Sequence, residues 1–159
     1  MLTKQIEAML QEAVQSELYA SHLYKHLANQ LQRLGYFGAQ KHFAAEYADE
    51  VEHYQKIANL LNDMGSVAKL PMIEAITDPV TSLRDAFEIA FETETQLGSD
   101  YERWFKGCAD APLVQQALHF FLEKQRTSSG EYRDWITRLD RAGTNEAALL
   151  LIDQELGEG

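Results

Sequence analysis

Four stretches of this chain repeat apolar side chains at spacings of three and four residues, and only one gap between them is longer than a turn. That period marks an α-helix with one buried face, and no run alternates at the period of a strand. The first stretch opens at Thr3, a helix N-cap, and runs to about Arg33, before Gly35. The second runs from near Phe37 to Met64 and is closed by Gly65. The third opens at Ser82, with Asp85 three residues on in a capping-box pattern, and ends near Cys108. The fourth starts around Pro112 and runs to about Arg141, before Gly143. Short loops make the first and second helices, and the third and fourth, antiparallel hairpins. The sixteen-residue stretch SVAKLPMIEAITDPVT, Ser66 to Thr81, contains two prolines and is long enough to cross the length of a bundle. An all-α four-helix bundle with one long crossover follows, rather than a simple up-and-down bundle.

After Gly143, Thr144-Asn145-Glu146 opens a short apolar helix, AALLLIDQEL. The reading is a single domain over 1–159, with the bundle spanning 3–141 and a C-terminal helix at 144–156. Charge narrows the partners. With 25 acidic against 14 basic residues the net charge is −11, which speaks against nucleic acid or an anionic membrane and suits cations. One cysteine, Cys108, leaves no internal disulfide and no thiolate cluster within a chain. The N-terminus does not read as a secretory signal, and no apolar run approaches the ~18 residues of a membrane span. A cytoplasmic protein is expected.

The apolar stripes have interruptions. On the first helix the stripe Ile6, Leu10, Ala13, Ala20, Tyr24, Leu27, Leu31 is broken by Glu17. On the second, Phe43, Ile57, Leu60 and Met64 flank Glu50 and His53. Glu94 breaks the third, between Ala90 and Leu97, and Gln125 and Ser128 break the fourth, between Phe121 and Tyr132. Each interruption lies near the middle of its helix, so all fall in one layer of the bundle. Three carboxylates buried together lose several kcal/mol of hydration each and repel one another, and a divalent cation relieves both penalties. Taken alone, Glu50-x-x-His53 is an ordinary exposed helix pair, and one stripe glutamate is usually a boundary residue. Interruptions on four helices at one height are not explained that way. Oxygen donors with one imidazole suit iron or manganese. Glu17 and His53 would bind one ion, Glu94 the other, with Glu50 between them, and the implied reaction is Fe(II) oxidation.

With these residues in place the chain resembles the non-haem ferritins. The likeness is carried by SELYASHLY around Glu17, the EVEH block, LNDMGS, ETET around Glu94, FLEKQ, RAG and LLLIDQEL. It implies a ferritin-like bundle whose first iron site is Glu17, Glu50 and His53, with Glu50 bridging to Glu94 at the second. Gln125 matches the glutamine near that second site, and Tyr24 the tyrosine beside the centre. It further implies a homo-oligomeric shell of twenty-four subunits that oxidises Fe2+ with O2 or H2O2 and stores a ferric mineral, with a short C-terminal helix packed around the fourfold axes. Ser128 stands where many bacterial ferritins carry a further glutamate, which makes the second site ligand-poor. A third iron site should be weak, since Asp49 faces Lys124 and Thr127. Gln115 and Leu118 replace acids that line channels in animal ferritins. Val51 stands where bacterioferritins place a haem-ligating methionine, so no haem is expected.

The competing readings are a rubrerythrin-like di-iron oxidase or peroxidase, whose second Glu-x-x-His is broken here as Gln125-x-x-Ser128, and a non-storage helix bundle or DNA-associated mini-ferritin. Asp49 and Glu52 read equally as cavity-facing carboxylates or solvated surface, and Glu46 has no assigned role. His22, His26, His42 and His119 read as surface or boundary residues without partners. Cys108 reads as inert packing and Met72 as filler, while Trp104 and Trp135 are placed at one end of the core.

Overall fold

The computed structural model describes residues 2–159, and among them the regular elements are five helices with no strand. They are α1 (Lys4–Arg33), α2 (Phe37–Asp63), α3 (Leu83–Gly107), α4 (Pro112–Ala142) and α5 (Glu146–Glu158). Local chemistry sets the starts. Thr3 Oγ1 accepts from Ile6 N (3.2 Å), Ser82 Oγ from Asp85 N (3.0 Å), and Asn145 Oδ1 from Ala148 N (2.9 Å). The Asp85 carboxylate also reaches back to Thr81, one residue before the cap, accepting from its N (2.8 Å) and Oγ1 (2.7 Å). Two ends are Schellman turns. Gly35 at φ 85° lets Tyr36 N reach Leu31 O (3.0 Å), and Gly65 at φ 83° lets Ser66 N reach Leu61 O (2.9 Å).

Segment 64–82 is irregular and is stitched along α1. Lys69 N donates to Gln11 Oε1 (2.9 Å), and nine residues later the Asp78 carbonyl meets His26 Nε2 (2.9 Å). The crossover therefore travels from the start of α1 towards its end, and α3 runs antiparallel to α1. The long connection and two hairpins stand as expected. His26 does have a partner, this crossover carbonyl.

Three details differ from the sequence reading. The α2 stripe passes through Leu61, fully buried, while Leu60 and Met64 are only half covered. A step of four from Ile57 keeps the buried face better than a step of three at that point. Met72 is 86% exposed, so it fills nothing. The two tryptophans sit at opposite ends of the bundle, Trp104 against Tyr101 (5.0 Å between centroids) and Trp135 against Phe87 (6.3 Å). Because α3 and α4 are antiparallel, a late residue on each lies at a different end.

The C-terminal helix lies mainly on α2. Ile152, Asp153 and Leu156 are buried there, while Leu150 and Leu151 remain 54% and 61% exposed. Asp153 caps α2 in place of a residue of its own: its carboxylate accepts from Gly38 N (3.2 Å) and Ala39 N (2.7 Å). Tyr36, the preceding residue, provides no side-chain cap, and the first turn of α2 contains no acid. Asp153 thus satisfies orphan amides and opposes the positive end of the helix dipole. Lys41 Nζ returns a bond to Gly157 O (2.8 Å) near the end of α5.

Candidate metal centre

Four helices meet at mid-height with their polar interruptions inward. Glu17 comes from α1, Glu50 and His53 from α2, Glu94 from α3 and Gln125 from α4, all with 6% or less of their surface exposed. Glu50 and His53 are one turn apart on a single helix face. Their Oε2 and Nδ1 atoms are 3.2 Å apart, and Glu17 Oε2 lies 4.0 Å from the same Nδ1. Across the bundle, the Tyr24 hydroxyl donates to Glu94 Oε1 and the Tyr101 hydroxyl to Glu17 Oε1. With its amide oriented by its neighbours, Gln125 donates to the Glu94 carbonyl (3.1 Å) and to Glu94 Oε2 (2.5 Å). Ser128 is half-buried.

Donor atoms from Glu17, Glu50 and His53 all lie within 4.8 Å of one another, and so do those from Glu46, Glu50 and Glu94. Two potential cation positions therefore share Glu50. The fit of a cation is supported by one atom in particular: Glu17 Oε2 is fully buried without a hydrogen-bond partner. A buried carboxylate oxygen left bare costs about 1–3 kcal/mol or more, whereas a cation at that point satisfies it.

The electrostatics point the same way. Burial, then the Glu50 charge, pushes the Glu17 carboxyl well above its ordinary range. Burial likewise raises Glu50 and Glu94, with added repulsion from Glu94 and Glu46 on the first and from Glu17 and Glu46 on the second. Burial lowers the pKa of His53, so its imidazole is neutral at pH 7 and has a lone pair to give. Burial also keeps Tyr24 and Tyr101 protonated, as donors to the two carboxylates. A cluster that resists ionisation when empty and offers mostly oxygen donors is matched to a hard divalent cation.

Two participants escape the sequence reading. Glu46 belongs to the second trio, although it was given no role. It falls three residues after Phe43 and four before Glu50, so the helical stripe itself carried the signal. Tyr101 appeared only as a core aromatic, and nothing in periodicity shows that its hydroxyl meets Glu17. His42 is a boundary residue as expected, half-buried among Phe43 (5.2 Å between ring centroids), Phe87 (5.9 Å) and Tyr132 (6.2 Å), and its Nε2 has no hydrogen-bond partner among the described residues. A surface groove lies elsewhere, beneath the crossover between Tyr19, Met72 and Trp104. The centre is a closed interior cluster and does not open into that groove.

Four helices with one long crossover, enclosing carboxylates and a histidine at mid-height, define a carboxylate-bundle protein able to hold metal ions. The sequence profile of the ferritin-like domain matches residues 7–142. A Haemophilus influenzae protein named "Probable bacterial non-heme ferritin-like protein" is 26% identical over 160 residues, covering 99% of this chain and 96% of that protein. A bacterial non-heme ferritin of Staphylococcus aureus is 27% identical over 163 residues, with 99% and 96% covered. Among solved structures, the open-pore ferritin of Archaeoglobus fulgidus superposes with a TM-score of 0.95 at 20% identity, covering 99% of this chain and 98% of that one. This chain belongs to the ferritin family, and its likeness is to the non-haem members.

Proposed function

We propose that this protein is an iron-storage ferroxidase: it oxidises Fe(II) at the mid-bundle centre and keeps the ferric product inside a cage of its own copies. The observation that supports this most directly is the bare, fully buried Oε2 of Glu17 facing His53 within a cluster of acids. Glu17, Glu50 and His53 hold the first Fe(II). Glu50 extends to the second beside Glu94, whose carboxylate Tyr24 and Gln125 orient by hydrogen bonds. Side-by-side binding allows each Fe(II) to give one electron. Dioxygen takes both, with two protons, and leaves as hydrogen peroxide, while the Fe(III) hydrolyses and departs as mineral. Neutral His53 and the two tyrosine donors hold the ligands in place through the change of charge. Among the described residues no helix is long and apolar enough to cross a membrane.

The apolar residues that one chain leaves uncovered support the cage. Leu150 and Leu151 project from α5, and Val67 (75%), Leu70 (67%) and Met72 (86%) project from the crossover. Exposed apolar surface of this kind marks an interface between subunits. The native mass tests this part, because twenty-four subunits of 18.1 kDa make about 430 kDa. For the chemistry, mixing the apoprotein with Fe(II) and oxygen should give rapid ferric absorbance that Glu50→Ala abolishes. Oxidation as fast in the variant as in the wild type would show that the centre is elsewhere.

A further inference from the structure

The geometry points to Glu46 as a ligand of the second metal ion, supplying the carboxylate that Ser128 does not. This inference rests on the ferroxidase reading of the centre and completes its second half. Without Glu46, the second position has only Glu94 and the shared Glu50, because the Gln125 amide is engaged in holding Glu94. Two carboxylates, one of them bridging, leave a divalent ion short of protein donors.

Glu46 lies one helical turn before Glu50 on α2, half-buried, and its carboxylate is within 4.8 Å of donor atoms from both Glu50 and Glu94. Among the described residues, no hydrogen bond or ion pair holds its side chain elsewhere. A trio of acids alone could be repulsion without purpose. Here it adjoins Glu17, whose bare oxygen is fully buried and aimed into the same interior through the shared Glu50. The Tyr132 hydroxyl, within range of the Glu46 and Glu94 charges, is also buried without a hydrogen-bond partner among the described residues, with its ring stacked on Tyr24 at 6.4 Å. The interior around the second trio therefore has unmet polar demand from two directions.

The assignment makes the two positions chemically unlike. The first has an imidazole and two carboxylates, and the second has carboxylates alone. Imidazole favours later first-row divalent ions, whereas an all-oxygen position discriminates less and binds them more weakly. The second ion should therefore be the exchangeable one, and Glu46, more exposed than the buried Glu50 and Glu94, is the ligand nearest solvent.

The test is anaerobic titration of metal-free full-length protein with Co(II), followed by calorimetry and by the visible absorption of the bound ion. Wild type should take two ions per subunit, the tighter at the histidine position. Glu46→Gln and Glu46→Ala should lose the weaker equivalent, or bind it at least tenfold less tightly, and keep the tighter one. Alanine is a strong helix former, so the variant retains α2, and circular dichroism verifies this. If either variant binds both ions as the wild type does, Glu46 is no ligand, while the centre itself stands. If the wild type binds no Co(II), both this inference and the ferroxidase reading fall.

Discussion

Replacing Gly38 by alanine adds one methyl group where α2 and α5 touch, and the structure sets what that does. An ideal Cβ there would lie 1.8 Å from the Asp153 carbonyl oxygen and 2.7 Å from its carbon. Both are backbone atoms, so no rotamer change relieves the clash. Carbon and oxygen need roughly 3.4 Å, so the helices must part by roughly 1.6 Å. That movement strips Asp153 from the amides of Gly38 and Ala39, a cap worth about 1 kcal/mol. It also opens the seam over Ile152 and Leu156, whose full exposure costs about 1.5–3 kcal/mol each. Complete detachment of α5 then costs about 4–7 kcal/mol, and partial accommodation about 2. Gly130→Ala is the matched control: no atom lies within 4 Å of its added methyl, and it sits inside α4. It should stabilise by about 0.5–1 kcal/mol. Urea unfolding followed by far-ultraviolet circular dichroism, at one fixed protein concentration, measures both. A Gly38→Ala variant within about 0.5 kcal/mol of wild type would refute the claim that close backbone approach docks α5.

Two further predictions concern the centre in metal-free protein. Its carboxyls have pKa values raised in the folded state, Glu46 from 4.5 to about 7, chiefly by burial and then by the charges of Asp49 and Glu131, with Lys124 and His53 opposing. The folded protein thus holds protons that the unfolded chain has released, and stability present below about pH 4.5 is lost as pH rises to 7 and beyond. Glu46 alone accounts for about 3 kcal/mol, and Glu17, Glu50 and Glu94 act in the same direction. Calorimetry in chelator should therefore show Tm falling from about pH 5 to pH 8, and a divalent cation should flatten the slope; a flat or rising metal-free profile would contradict the burial of these acids. Tyr101→Phe removes the donor to Glu17 Oε1 and should lower metal-free stability by about 1–3 kcal/mol, so an unchanged unfolding curve would remove that bond from the account.

Much of this arrangement was readable because helices announce their ends and faces locally. Gly35, Gly65, Ser82 and Pro112 act through their own backbone or cap chemistry, so the segment bounds follow from neighbouring residues. Glu17, Glu50, His53 and Glu94 were conspicuous because each breaks an apolar stripe. Glu46 has the same spacing and was passed over, since a glutamate beside Asp49 and Glu52 reads as part of a solvated acidic face. Other features depend on contacts between distant segments. The Tyr101 hydroxyl on Glu17 spans 84 positions and the Tyr24 hydroxyl on Glu94 spans 70. Neither residue differs in pattern from an ordinary core tyrosine. Asp153 as the cap of α2 is equally invisible, because nothing near Tyr36 records that its cap is supplied from elsewhere.

That borrowed cap has a consequence for the order in which the molecule is made. The bonds from Asp153 to Gly38 and Ala39 span 115 and 114 positions, so the start of α2 waits for a segment synthesised much later. During translation α1 and α2 can already pair as a hairpin, with His53 and Glu50 facing inward from the middle of α2. The first turn of α2 stays frayed until α5 emerges and docks. Docking of α5 thus completes this helix, and α5, with Leu150 and Leu151 outward, reaches its place at the same moment.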